Sequence, residues 1–185
     1  IIDEEGLSVS RLRNIIHHNY EANFFGELYK INQNVALSLY KNYLNSLCEN
    51  LKKIGININT IPVLDVLRKT TSKIIGKRSF SNDKKIIKKL GEITVKKCRS
   101  LNIATVIKHI PGHGCSSVDS HLSLPIVKLS EKELNKKDFY PFKSSSAKIA
   151  MTAHILYSKV DKINVCTFSS KIIKKIIRNK IGFKN

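Results

Sequence analysis

Ile103-Ala104-Thr105-Val106-Ile107-Lys108-His109-Ile110-Pro111-Gly112-His113-Gly114 joins an apolar run to two ionisable residues and a loop with two glycines around a histidine. A short apolar run with β-branched residues reads as a buried strand, and here it is expected over Ile103 to Ile107. Working outward, the layout recurs. Ile1-Ile2 precede Asp3, the run from Ile56 to Val66 contains Pro62-Val63-Leu64-Asp65, and Ile149 to Ala153 lead to His154. Between these runs lie segments of helical period. One spans Gly26 to about Ile54, with Leu28, Ile31, Val35, Leu39, Tyr43, Leu47 and Leu51 as its apolar face and Gly55 as its stop. Another starts at Asn82 as N-cap and reaches about Leu101. Ser130 with Glu133 forms a capping-box pattern, and Ser169 or Ser170 opens a basic helix through Lys180, with Gly182 beyond its end.

Strands alternating with helices in this way imply parallel pairing and an α/β fold. Polar residues just past four successive strand ends favour a (β/α)8 TIM barrel over a doubly wound sheet, because the barrel builds its site from every strand tip. A complete barrel takes about 250 residues. The expectation is therefore a partial barrel of about four β/α units, with 1–185 as a single incomplete domain truncated at both ends.

Composition narrows the class. Hydrophobic residues make up 42% and charged residues 25%, enough apolar material for a core and unlike a disordered chain. No apolar run reaches the roughly 20 residues of a spanning helix, and the N-terminus lacks a signal-peptide layout, so no membrane insertion is expected. Lys and Arg exceed Asp and Glu by 33 − 14 = 19. The lysines are spread along helix faces with few aromatics among them for base stacking, which argues against nucleic acid as a partner. Cys48, Cys98, Cys115 and Cys166 are far apart, as core thiols of a reducing compartment would be.

The glycine-flanked loop is followed by Asp119-Ser120-His121. A carboxylate two residues from an imidazole can bond it in a looped backbone, fixing its tautomer and raising its basicity, which makes His121 a candidate general acid/base. His109, His113, Asp119 and His121 are also metal-ligand types, but their spacing is not distinctive of zinc or iron. A serine-hydrolase reading through Ser116, Ser117 or Ser120 lacks the G-x-S-x-G elbow. His113 reads as a loop-stabilising hydrogen bonder, Asp65 and His154 as rim residues or supports, and His17, His18 and Cys115 as surface residues or filler. Arg78 on its own reads as a helix cap or a partner of Asp83.

The stretches I-D-E-E-G with Arg11, P-V-L-D-V, I-G-K-R-S-F, K-H-I-P-G-H-G, D-S-H-L-S-L-P, M-T-A-H and I-G-F run through nearly the whole chain. In that order they resemble the bacterial β-N-acetylhexosaminidases of glycoside hydrolase family 3. The resemblance implies His121 as acid/base with Asp119 as its orienting partner, and Asp3, Arg11, Arg78, Lys108 and His109 as sugar-binding residues. It implies a retaining reaction on terminal β-linked N-acetylglucosamine of peptidoglycan fragments, with an aspartate nucleophile on a strand after I-G-F and thus beyond Asn185. It further implies a cytoplasmic enzyme of cell-wall recycling, without metal or organic cofactor. Leu7 and Ser8 stand where the family usually has a glycine and an arginine. That departure raises the alternative of an inactive relative that binds sugar or a partner.

Overall fold

The computed structural model describes residues 1–17, 20–119 and 121–185, so the sequence-level readings of His18 and Ser120 lie outside the described residues. Two helices, α1 (Ala22–Ile31) and α2 (Gln33–Lys53), precede the short strand β1 (Ile58–Asn59). Helix α3 (Lys84–Ser100) leads into β2 (Ala104–Ile110), followed by β3 (Ile126–Val127), the short helix α4 (Glu131–Lys136), β4 (Ile149–Thr152) and β5 (Leu156–Tyr157). A π-helix over Ile172–Ile181 closes the chain. The main sheet is parallel, in the order β1-β2-β4, and Ile2 extends it by a parallel bridge to Asn59. Among the described residues, four segments thus lie side by side in chain order, as an open wall and not a closed barrel. A second parallel pair, β3 with β5, stands apart from it.

The single long helix expected over Gly26 to Ile54 is two helices. Asn32 adopts an extended conformation at the join, and its side-chain oxygen accepts from Val35 N at 3.1 Å, capping α2. The break resets the helical phase. The buried face of α2 is Ala36, Tyr40, Leu44, Leu47, Cys48 and Leu51, while Ile31 and Val35 on the expected stripe are exposed. The N-cap of α3 is Asp83, accepting from Lys85 N at 2.7 Å, one residue after the expected Asn82. The expected capping box of Ser130 and Glu133 is formed. Ser169 Oγ accepts from Ile172 N at 3.0 Å, and Gly182, at φ 83°, ends the last helix.

The strand expected from Ile56 to Val66 pairs regularly only at Ile58–Asn59, since Pro62 has no N–H to give. Pairing resumes where Lys108 N donates to Pro62 O and Leu64 N to Lys108 O, at 3.1 and 2.7 Å. The strand Ile103 to Ile107 runs on to Ile110, so Lys108 and His109 belong to the sheet itself. The core lies between α2, α3 and the sheet, with Leu44, Leu51, Ile87, Leu90, Ile107 and Phe80 buried within it. All four cysteines are free, three of them buried, and Cys48 and Cys98 face each other at 3.5 Å.

The loop after β2 is seated by close backbone approach. A Cβ on Gly114 would lie 2.1 Å from the carbonyl oxygen of Val66, a neighbour that cannot rotate away. Gly114→Ala is therefore expected to cost about 1–3 kcal/mol through overpacking. Urea unfolding measures this, and an unchanged midpoint would show that the loop is not held against Val66.

Candidate functional site

At the strand tips, Lys108 is 2% exposed at its side chain, although it carries a charge. Its ammonium donates to Asp3 Oδ1 at 2.8 Å, to Glu5 Oε1 at 2.6 Å and to Thr60 Oγ1 at 2.8 Å. All three of its protons are therefore matched. Thr60 Oγ1 in turn donates to Asp3 Oδ1. Burying an ammonium is costly unless it is paired and bonded, and this arrangement supplies both. Burial raises the Asp3 carboxyl, but its bonds from Lys108 and Thr60 outweigh that and hold it below its usual range.

Glu5 connects this cation to a second one. Arg78 Nε donates to Glu5 Oε2 at 2.8 Å and Nη2 to Oε1 at 2.9 Å, a two-pronged contact, while Nη1 donates to Ile74 O. Burial disfavours the Arg78 charge, yet the Glu5 contact outweighs it and raises its pKa. The partner of Arg78 is thus Glu5, not Asp83. Glu4 shapes the loop behind: its carboxylate accepts from Arg11 N and Leu12 N at 2.8 and 3.1 Å. Asn59 bonds its backbone on both sides, accepting from Glu4 N and donating to Glu4 O.

Asp65 is fully buried. Its Oδ2 lies 2.7 Å from His109 Nδ1, and its Oδ1 accepts from His113 N at 2.5 Å and from His109 N at 3.4 Å. Burial pushes this carboxyl up, but the two histidines outweigh it and the group stays below its ordinary value. His113 is buried, and the loss of solvent lowers its pKa; its ring packs edge-on to His109 at 5.6 Å. The register between β2 and β4 slips between Lys108 and Ile110. In a regular strand consecutive side chains point to opposite faces; here Lys108 and His109 both reach carboxylates of the same cluster.

Asp3, Arg78, Lys108 and His109 therefore share one polar cluster. Arg11 is exposed and acts on Asp3 through its field. The Asp119–His121 pair stands apart from the cluster. His121 Nδ1 is 2.9 Å from Asp119 Oδ1, which also accepts from His121 N, and the imidazole is 75% exposed. These bonds lower the Asp119 pKa, and the field of His113 acts on it in the same direction, linking the pair to the cluster. His154 sits one strand further along, exposed, with Nδ1 3.4 Å from Thr167 Oγ1. Leu7 points into solvent and the Ser8 hydroxyl donates to Glu21, so neither occupies the cluster. Among the described residues, no three His, Cys, Asp or Glu side chains are grouped to hold a metal ion, and no helix is long and apolar enough to cross a membrane.

Glu5, Thr60, Glu4 and Asn59 were not singled out by sequence reasoning. Glu5 was within reach of it, as the last acid before Gly6 in a strand-end motif. Thr60 and Asn59 carry no such signal, since a polar residue inside a strand run is common.

Residues 20–185 match the glycosyl hydrolase family 3 N terminal domain. The chain is 31% identical to the beta-hexosaminidase of Nitrosomonas eutropha, over 99% of this chain and 53% of that protein. It is 30% identical to beta-hexosaminidase A of Pseudoalteromonas piscicida, over 99% of this chain and 33% of that one. The crystal structure of native NagZ from Neisseria gonorrhoeae superposes with a TM-score of 0.88 at 30% identity, over 99% of this chain and 54% of that one. The same protein in complex with N-trifluoroacetyl-D-glucosamine superposes at 0.87, at 30% identity, over 98% of this chain and 54% of that one. The chain thus spans about half the length, or less, of these relatives.

The charge arrangement has two measurable outcomes. Lys108→Met removes the cation between two carboxylates, one of them buried, and is expected to destabilise by about 3–5 kcal/mol; a loss below about 1 kcal/mol in urea unfolding would contradict the pairing. Asp65 titrates lower folded than unfolded, so the unfolded chain binds more protons as the carboxylates titrate. The Asp65 contribution to stability is then present above about pH 4 and lost as pH falls through its folded value. Unfolding midpoints tracked downward from pH 6 should fall less for Asp65→Asn than for the wild type, and identical slopes would contradict the assignment.

Proposed function

The chain belongs to glycosyl hydrolase family 3 through its N-terminal domain, and from that premise we propose that it forms the sugar-holding part of a retaining β-N-acetylglucosaminidase. The observation that carries this reading is the convergence of Asp3, Arg78, Lys108 and His109 on one strand-tip cluster; the Asp119–His121 pair belongs to the loop that follows His113. Carboxylates accept from sugar hydroxyls, and the guanidinium and ammonium donate to hydroxyl or amide oxygens. Sugar binding exchanges some of the internal bonds. Asp3, 38% exposed, is the carboxylate of the cluster most open to such exchange.

In this reading His121 protonates the leaving oxygen as the glycosidic bond breaks, while an aspartate in the polypeptide after Asn185 attacks the anomeric carbon and holds the glycosyl group. His121 then takes a proton from water, which releases the sugar. Asp119 remains ionised and stabilises the imidazolium that precedes the first step and is restored by the second, the ring being neutral in between. The substrate is an N-acetylglucosamine-containing muropeptide of peptidoglycan recycling, processed in the cytoplasm. The family resemblance is what supports these finer assignments.

The test uses the full-length polypeptide and an aryl N-acetyl-β-glucosaminide that releases a chromophore. Hydrolysis is expected, with His121→Ala lowering kcat by about 10²–10⁴ through loss of general acid/base catalysis. Absence of hydrolysis, or unchanged kinetics in the variant, would overturn the reading. In this reading the attacking carboxylate lies outside residues 1–185, which alone are expected to be inactive.

A further inference from the structure

We infer that Asp65 is a positioning residue that fixes His109 as the Nδ1–H tautomer, so that His109 offers a bare Nε2 which accepts a hydrogen bond from one sugar hydroxyl. The inference rests on the proposed glycosidase function only in taking the ligand to be an N-acetylglucosaminide.

Geometry drives it. Asp65 Oδ1 is committed to two donors that cannot change role, the backbone N–H groups of His113 and His109 at 2.5 and 3.4 Å. Oδ2 remains for the ring, 2.7 Å from Nδ1. An ionised carboxylate only accepts, so the nitrogen facing it carries a proton. The ring is 16% exposed, and its Nδ1 edge lies against a carboxylate with no exposure at all. The accessible edge is therefore the one bearing Nε2. The other groups beside His109 are the His113 ring, packed edge-on to it at 5.6 Å, and the cations Lys108 and Arg78 of the same cluster.

An imidazole with a bare Nε2 is an acceptor among donors. The ammonium and guanidinium of the cluster bind any sugar oxygen, whether of a hydroxyl, an ether or an amide. His109 alone among the basic groups requires a hydroxyl that gives its proton. It becomes a specificity element: a sugar with fluorine in place of that hydroxyl keeps its shape but has no proton to give.

Asp65→Asn inverts this with almost no change of shape. The two backbone donors hold the Asn oxygen at the Oδ1 position, which turns the amide NH2 toward Nδ1. The ring must then accept at Nδ1 and carry its proton on Nε2. Nε2 becomes a donor that tolerates fluorine.

The experiment has two arms on the full-length protein. In the first, ¹⁵N-labelled histidine spectra report which ring nitrogen of His109 is protonated, with His109→Gln used to assign the signal. Protonation at Nδ1 alone is expected in the wild type and at Nε2 in Asp65→Asn. Protonation of wild-type His109 at Nε2, or at both nitrogens at neutral pH, would overturn the inference even if the variant failed to fold. In the second arm, aryl N-acetylglucosaminides with the 3-, 4- or 6-hydroxyl replaced by fluorine are compared with the parent. For one of the three, the wild type should favour the parent by ~100-fold or more in kcat/KM, because a site built around a hydroxyl rejects its analogue strongly. Asp65→Asn should cut that ratio to within ~10-fold. A ratio that survives the substitution would reduce Asp65 to a structural role and overturn the inference while leaving the enzymatic reading intact. If no N-acetylglucosaminide is hydrolysed, it is the enzymatic reading that fails, and the spectra still decide the tautomer.

Discussion

A lysine with almost no access to solvent organises the top of this chain. Lys108 is 2% exposed, and its three protons go to Asp3, Glu5 and Thr60, which come from the first residues and from the strand-β1 region. The folded chain can hold that charge only if segments about a hundred residues apart in sequence meet at one point. Glu5 passes the constraint to Arg78, and with it to the loop between β1 and α3. One buried cation therefore brings three separate strand ends into register around it. The apolar packing below would permit such a meeting without specifying which polar atoms face one another.

The site divides into a fixed part and an open part. Asp65 ties His109 and His113 together beneath the cluster with no exposure of its own. Asp65 is held there by three contacts, from the His109 ring and from the backbone N–H groups of His109 and His113. The Asp119–His121 pair is the opposite, a short contact within its own loop with the imidazole largely in solvent. This division suits a reaction in which one end of the substrate is held and the proton is delivered to the bond at its outer side.

The sequence revealed the architecture where a single residue type has a single physical consequence. Capping patterns at Ser130 and Gly182, and polar residues after apolar runs, led to the helix ends and to the strand tips. It misled where two consequences compete. The apolar stripe from Leu28 to Leu51 reads as one helix, yet Asn32 turns the backbone and caps α2, rotating the buried face of that helix. The strand around Pro62 was overextended for the same kind of reason, a missing donor in the ladder. β3 and β5 are two residues each, too short for any periodicity to register. Of the site, the residues that meet in the cluster, Asp3, Arg78, Lys108 and His109, could be read from motifs. Thr60 and Asn59 could not, because their importance lies in partners supplied by distant segments.

The central claim is that these strand tips form one sugar-holding surface. The most direct measurement is a crystal structure of the full-length protein soaked with N-acetylglucosamine. The account predicts the sugar over the cluster, its hydroxyls within hydrogen-bonding distance of Asp3, Arg78 and His109, with the Asp119–His121 loop on its anomeric side. A sugar bound elsewhere, with the Lys108 cluster untouched, would contradict it.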